Sequence, residues 1–433
     1  MIQRIDYLGR LAKWREKQLV KVISGVRGCG KTTLLALYID WLKRSGIEDA
    51  QIIFIDMENP ADSSLLHYQG LYNFIKKNLC KDKLTYIFVD EIQKCAHYEK
   101  AVEALIKKQV DLYAAVSSAP DFSRTLYVEL KMLPLSFAEH LAFVRARSRS
   151  PQITGRASGP PTQKAYPSTD RRLPRQKAQV EKYLQREAFN HYLSFGGFPF
   201  TEVLGGDAGL IRQCVEGIYN TILIKDAAMQ AGINNIPLLE DTAKMLSHAI
   251  GHPLSSKKIS TAMGEKGKRI SANTVETYMR ALTAAFVFYH AGRFDIKTGK
   301  RLKTLGKYYI ADMGIRNLIL ETTAPELDGQ LENIVCMELL RRGFEVCVGK
   351  YDSDEINFAA FVSGSEGGSR VYFQVTASVR DAAILAGKFS PLERIRDNHP
   401  KYILTLDETP FRAVRNGIIQ MNLIDWLLET RRN

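Results

Sequence analysis

Residues 20–33 constrain this chain more than any other stretch. Val20–Ser24 is an apolar run, Gly25, Val26, Arg27, Gly28, Cys29 and Gly30 form a glycine-rich turn, and Lys31, Thr32 and Thr33 open an amphipathic segment. The order is strand, loop, helix, and the residues fit G-x-x-x-x-G-K-[ST], a pattern that cradles phosphates in that setting. Glycines let the backbone N–H groups converge, because a Cβ would collide with the turn or the ligand. Lys31 then reaches the β- and γ-phosphates, Thr32 offers its hydroxyl to Mg²⁺, and the helix N-terminus adds its dipole.

Downstream, Leu84–Val89 is an apolar run ending in Asp90 and Glu91. A buried parallel strand delivers carboxylates to its C-terminal edge in this way. Asp90 is expected to hold Mg²⁺ and Glu91 to polarise an attacking water, the division of labour that hydrolysis of ATP needs. Strands at Gln51–Asp56, Val110–Val116 and Tyr127–Met132 alternate with helices at 71–79 and 98–108, which predicts a parallel α/β sheet.

The chain has 433 residues and a net charge of +13, a balance that raises the question of a nucleic-acid partner. Arg145 to Lys177 carries nine basic residues against Asp170, a surplus of eight, so the rest of the chain carries only five. That stretch is rich in Ser, Pro, Gly and Arg and has no period, and reads as a basic disordered linker or insertion over residues 144–185. Met1–Leu8 reads as carrying no secretory apolar region or cleavage site, and no apolar run reaches about 18 residues, so no leader and no membrane contact are expected and the expected location is the cytoplasm. The six cysteines are scattered without metal-ligand spacing. Cys29 stands apart, because a thiol in a phosphate loop is expected to be exposed and to lie in a positive field that favours thiolate.

Residues 237–291 read as three short helices, with Ser271 and Thr274 as caps, followed by β-like runs at 293–296 and 307–310. That order suggests a winged helix-turn-helix, a fold that serves for DNA contact or for protein docking. The last hundred residues form another α/β unit.

Together, Gly25–Thr33, Ile87–Gln93, Leu133–Phe137, Gly196–Pro199 and Leu331–Val335 resemble a prokaryotic family of predicted AAA-type ATPases with a winged-helix region and a C-terminal restriction-endonuclease-like domain of unknown function. The resemblance implies a P-loop ATPase domain at 1–143, a helical, winged-helix-like domain at 186–320 and an endonuclease-like α/β domain at 321–433. It also implies ATP and Mg²⁺ as ligands, DNA or a protein as partner, and a homo-oligomer in which one subunit completes its neighbour's site. Two departures stand out. Ser117, Ser118 and Ala119 replace the usual sensor asparagine, with Ser118 the expected phosphate contact, and Arg124 is the one candidate finger in a shortened Pro120–Leu126 stretch. In the C-terminal unit Glu332 and Glu355 remain, whereas Asn357 and Gln374 are neutral and Thr376 stands where a lysine is expected. Hard cations need carboxylates, so this unit is expected to bind or scaffold rather than cut. The expected function is a nucleotide switch; the alternatives are an ATP-dependent nuclease and a non-hydrolysing interaction module.

Overall fold

The computed structural model describes residues 4–60, 63–120, 122, 125–149, 174–321, 327–362, 369–408 and 413–429. A lead-in helix α1 (Ile5–Lys13) precedes β1 (Val20–Ser24), α2 (Lys31–Arg44), β2 (Ile52–Asp56), α3 (Tyr68–Lys77), β3 (Thr85–Asp90), α4 (Tyr98–Ile106), β4 (Val110–Val116) and β5 (Tyr127–Lys131). The five strands form a parallel sheet in the order β2-β3-β4-β1-β5. Every residue of β1, β3 and β4 is buried, as strands covered on both faces must be. Lys21 is the charged residue within β1: it is fully buried against Asp111 of β4 and donates to Lys17 O at 2.6 Å.

Two cores sandwich this sheet. On one face Val22, Ile55, Ile87, Val89 and Leu112 pack against Leu71 and Ile75 of α3 and Ala101 and Leu105 of α4. On the other, Ile23, Phe88 and Tyr113 share one core with Leu35 and Tyr38 of α2 and, from far along the chain, with Ile211, Val215 and Tyr219. The phosphate-loop face of the sheet is thus built into the helical region rather than left as a separate domain surface.

That helical region begins with α5 (Phe137–Arg149) and α6 (Pro174–Phe195). Both helices run into the stretch expected to lack pattern: residues 144–149 and 174–185 are helical, and residues 150–173 lie outside the described residues. Next come α7 (Pro199–Val203) and α8 (Ala208–Thr221), then a π-helical run Ile222–Ala228 that passes into a short α9 (Met229–Ala231). Three further helices, α10 (Ile236–His248), α11 (Ser256–Glu265) and α12 (Ala272–Ala284), lead to the hairpin β6 (Phe288–Asp295) and β7 (Lys300–Ile310). Ser255 and Ser271 cap α11 and α12, each accepting from the third residue on, Lys258 N and Thr274 N.

The hairpin does not stand free. After α13 (Met313–Leu320) and α14 (Leu327–Arg341) come β8 (Phe344–Tyr351), β9 (Asp354–Val362), β10 (Arg370–Val375), α15 (Ala382–Arg394), β11 (Lys401–Thr405), β12 (Ala413–Arg415), β13 (Ile418–Asn422) and α16 (Leu423–Leu428). One eight-stranded mixed sheet runs β12-β13-β11-β10-β9-β8-β6-β7, with β6 parallel to β8. The boundary expected at residue 320 therefore cuts through a single sheet, because backbone pairing across Arg293–Asp295 and Val348–Lys350 is invisible to local pattern.

Candidate nucleotide site

The loop after β1 turns where the sequence requires it. A Cβ on Gly25 would lie 2.1 Å from the carbonyl oxygen of Met132, so only glycine lets β1 leave the sheet beside β5. Gly28 and Gly30 adopt φ of +84° and +103°, left-handed values that open the turn into α2. From the second strand over, β3 delivers Asp90 and Glu91 to the same edge. Glu91 itself has φ of +53°, a strained backbone for a side chain of this size and a common mark of a functional position.

The side chains converge. Lys31 folds back on the loop, donating to Gly25 O at 2.9 Å and to the Ser117 hydroxyl at 2.8 Å. Ser117 in turn donates to Glu91 Oε1, and Gln93 Nε2 donates to Glu91 Oε2. Thr32 Oγ1 donates to Asp90 Oδ2 at 2.5 Å. Asp90 Oδ1 is buried with no hydrogen-bond partner among the described residues, and burial pushes this carboxyl above its ordinary range. Gly28, Thr32 and Thr33 remain exposed, which leaves the loop's mouth accessible.

Arg27 takes a different course. Its guanidinium reaches out of the loop to Asp226 on the π-helical run, with Nε to Oδ2 and Nη2 to Oδ1 both at 2.8 Å, and also pairs with Glu58. Nη2 lies 3.6 Å from Glu91 Oε2. Burial opposes the charge on Arg27, yet Asp226, Glu91 and Glu58 together raise its pKa above the ordinary arginine value. A Cβ on Gly28 would come within 3.1 Å of Ile218 in α8 and 3.5 Å of Phe198, so the helical region rests on the loop itself.

The other sequence motifs buttress this arrangement. Leu135 N donates to Gly197 O at 2.6 Å, and Gly197 N donates to Asp312 Oδ2 at 2.6 Å. Asp312, wholly buried, has its pKa pushed up to about 6 by burial against the backbone N–H groups it accepts. A carboxyl whose folded pKa exceeds the unfolded value of about 3.9 adds stability below that lower pH and loses it as pH rises toward the folded pKa. Urea midpoints taken from pH 4 to pH 7 should therefore show the wild type losing up to ~3 kcal/mol relative to Asp312→Asn across pH 4 to 6.

Two expectations change here. Cys29 is fully buried, and burial pushes its thiol up, outweighing the pull of Lys31 and Arg4 toward thiolate. The serine that touches the site is Ser117 rather than Ser118. Arg124 lies outside the described residues. Asp226 and Glu58 escaped the sequence reading; the one signal for Asp226 is a lone acid in the apolar run Ile222–Ala228. His140, likewise unremarked, is buried against Glu202.

In the C-terminal sheet Glu332 and Glu355 do converge, but on a cation of the chain's own. Lys307 Nζ, from β7, lies 2.9 Å from Glu332 Oε1 and 2.6 Å from Glu355 Oε1. Asn357 Nδ2 donates to Glu332 Oε2 at 2.7 Å, Gln374 Nε2 donates to Glu355 O at 3.1 Å, and Lys388 of α15 lies 3.5 Å from Asn357 Oδ1. Thr376 donates to Asp328. Thus, although position 376 holds a threonine, two lysines from other elements stand among Glu332, Glu355 and Asn357. Removing the 2% exposed Lys307 side chain takes the ion pair from buried Glu332 while Lys388 remains nearby, so Lys307→Met should cost ~3 kcal/mol in urea unfolding, the lower end for a broken buried pair.

Residues 17–141 match the AAA domain family, and residues 186–326 match a domain of unknown function, DUF8612. An uncharacterised protein of Haemophilus influenzae is 30% identical over 441 residues, which cover 99% of each chain. The chain belongs to the same family as this protein. Its N-terminal unit is an AAA-type domain, a nucleotide-binding ATPase fold. The uncharacterised protein MJ1544 of Methanocaldococcus jannaschii is 25% identical over 409 residues, 91% of this chain and 84% of that one. Among solved structures, a Walker-type ATPase of Pyrococcus abyssi aligns over 74% of this chain and 96% of its own with 12% identity and a TM-score of 0.45. No described helix is long and apolar enough to cross a membrane.

Proposed function

We propose that the chain is a Mg²⁺-dependent ATPase of the cytoplasm that works as a nucleotide switch on a DNA- or protein-binding C-terminal half. The observation that carries this reading is the reach of one loop in two directions: Lys31 and Thr32 meet Ser117, Asp90 and Glu91, while Arg27 holds Asp226 in the helical region. Backbone N–H groups of Gly25–Thr33 and the Lys31 ammonium bind the phosphates, Lys31 leaving the Gly25 carbonyl for the nucleotide. Thr32 and Asp90 fit a hard cation, since both present oxygens and Asp90 Oδ1 is buried without a partner. Bound there, Mg²⁺ supplies neutralisation of the phosphate charge. Glu91 accepts the proton of the attacking water.

The phosphates also compete with Asp226 for Arg27. A guanidinium drawn toward the nucleotide loosens the ion pair that ties the loop to the helical region, and this is the switch. The fold of α10–α12 with its hairpin supports a winged-helix-like reading, and the order of α14, β8–β10 and β11 an endonuclease-like one. Against cutting stands Lys307, whose ammonium sits between the two acids a metal would need. Phosphate release from ATP, measured with Mg²⁺ and again with the metal chelated, tests the reading. Hydrolysis that needs Mg²⁺ supports it, and tight ATP binding with no turnover favours the interaction-module alternative.

A further inference from the structure

α11 and α12 meet as a helix-turn-helix pair joined by residues 266–271, with α10 packed on α12. α12 turns Val275, Tyr278, Met279 and Leu282 inward. Its outer face carries Asn273, Thr274, Thr277 and Arg280, all exposed. Asparagine pairs two hydrogen bonds with adenine and arginine two with guanine along the major-groove edge, and threonine serves either. Thr277 Oγ1 donates to Asn273 O at 3.1 Å, which keeps its lone pairs available to a base. Beside this face lies a groove of about 470 Å³ whose lining adds Asn234 and Asn235.

The surroundings are basic. Lys257 and Lys258 stand exposed on the first turn of α11, and Lys266, Lys268 and Arg269 occupy the turn before α12. Residues 255–280 hold six basic side chains against Glu265 and Glu276. Two of the acids on this side are engaged: Asp241 pairs with Lys268, and Glu276 lies 4.0 Å from Arg280. On the neighbouring hairpin Lys297 pairs with Asp352 and Arg301 with Glu345, while Lys300 and Lys303 stand exposed and add to the basic surroundings.

We propose that α11 and α12 form a docking surface for duplex DNA, with Asn273, Thr277 and Arg280 entering the major groove and Lys257 and Lys258 on the flanking phosphates. B-form DNA suits it because the major groove of an RNA duplex is too narrow for a helix. This surface names the partner of the switch proposed above and rests on that reading for its role, but its residues are separate from the nucleotide site.

The test uses the full chain without nucleotide and a labelled mixed-sequence DNA duplex of about 30 base pairs, three turns. Fluorescence anisotropy should show binding that weakens with salt. Lys257→Glu with Lys258→Glu should weaken it at least tenfold and make the log–log salt slope shallower by about 2, one unit per phosphate contact. Asn273→Ala with Arg280→Ala should weaken it as well, while melting curves of all variants overlay the wild type. No binding, unchanged binding by both variants, or equal affinity for an RNA duplex would overturn the proposal. Unchanged binding by the variants would assign the contact to the basic Arg145–Lys177 tract. A chain that binds DNA through α11 and α12 yet fails to hydrolyse ATP would keep this surface and sink the switch.

Discussion

Glu91→Gln is expected to hold ATP without turning it over. Phosphate release should fall by about 10²–10⁴-fold, the usual loss when a positioned general base is removed. The dissociation constant for ATP should stay within about threefold, or roughly 0.7 kcal/mol. The substitution keeps the side chain's shape in a site where it is only 5% exposed and where Ser117 and Gln93 hold it. Binding measured by a fluorescent ATP analogue and turnover measured by phosphate release separate the two effects. A proportional loss of both would instead place Glu91 in nucleotide binding.

Asp226→Ala should uncouple the phosphate loop from the helical region. Asp226 is 4% exposed and its pair with Arg27 is bidentate, so removing it strands a largely buried guanidinium. Loss of one partner of such a pair costs ~3–5 kcal/mol, and Glu58 and Glu91 hold the expected loss near the lower end. The double substitution with Arg27→Ala should recover part of that loss, because no unpaired charge is then left buried. The functional signature is more telling. In the wild type, ATP should change the rate at which a protease cuts the segment around Ile222–Ala228, and in Asp226→Ala that rate should be the same with and without ATP. An ATP response of wild-type size in the variant would remove Asp226 from the switch.

The AAA-type sheet was legible in the sequence because buried parallel strands read as unbroken apolar runs. Val110–Val116 has both its expected ends, and the acids at the end of the third strand fall where the sheet's edge requires. A local signal served the cap at Ser271 as well, which needs only a backbone N–H three residues on; Thr274, also expected as a cap, lies inside α12 and donates that N–H. What the sequence hid are pairings between distant segments. Arg27 meets Asp226 across 199 residues, and Lys31 meets Ser117 across 86. Lys307 reaches Glu332 only because β7 joins the C-terminal sheet, so a count of residues along β10 found a threonine where space supplies a lysine. Cys29 misled for the same reason: the charge around it was readable, while the burial that outweighs that charge comes from packing of the helical region.

The account depends on Gly25–Thr33 binding ATP through Lys31, and an equilibrium titration tests that without any assumption about turnover. Wild-type protein and Lys31→Ala are each titrated with ATP in the presence of Mg²⁺. Lys31 is 4% exposed and its Nζ already rests on loop carbonyls and Ser117, poised to exchange them for phosphate oxygens. Saturable binding by the wild type, weakened at least about 100-fold in the variant, or about 2.7 kcal/mol, is the predicted result. Equal binding by the two proteins, or none by the wild type, would contradict it.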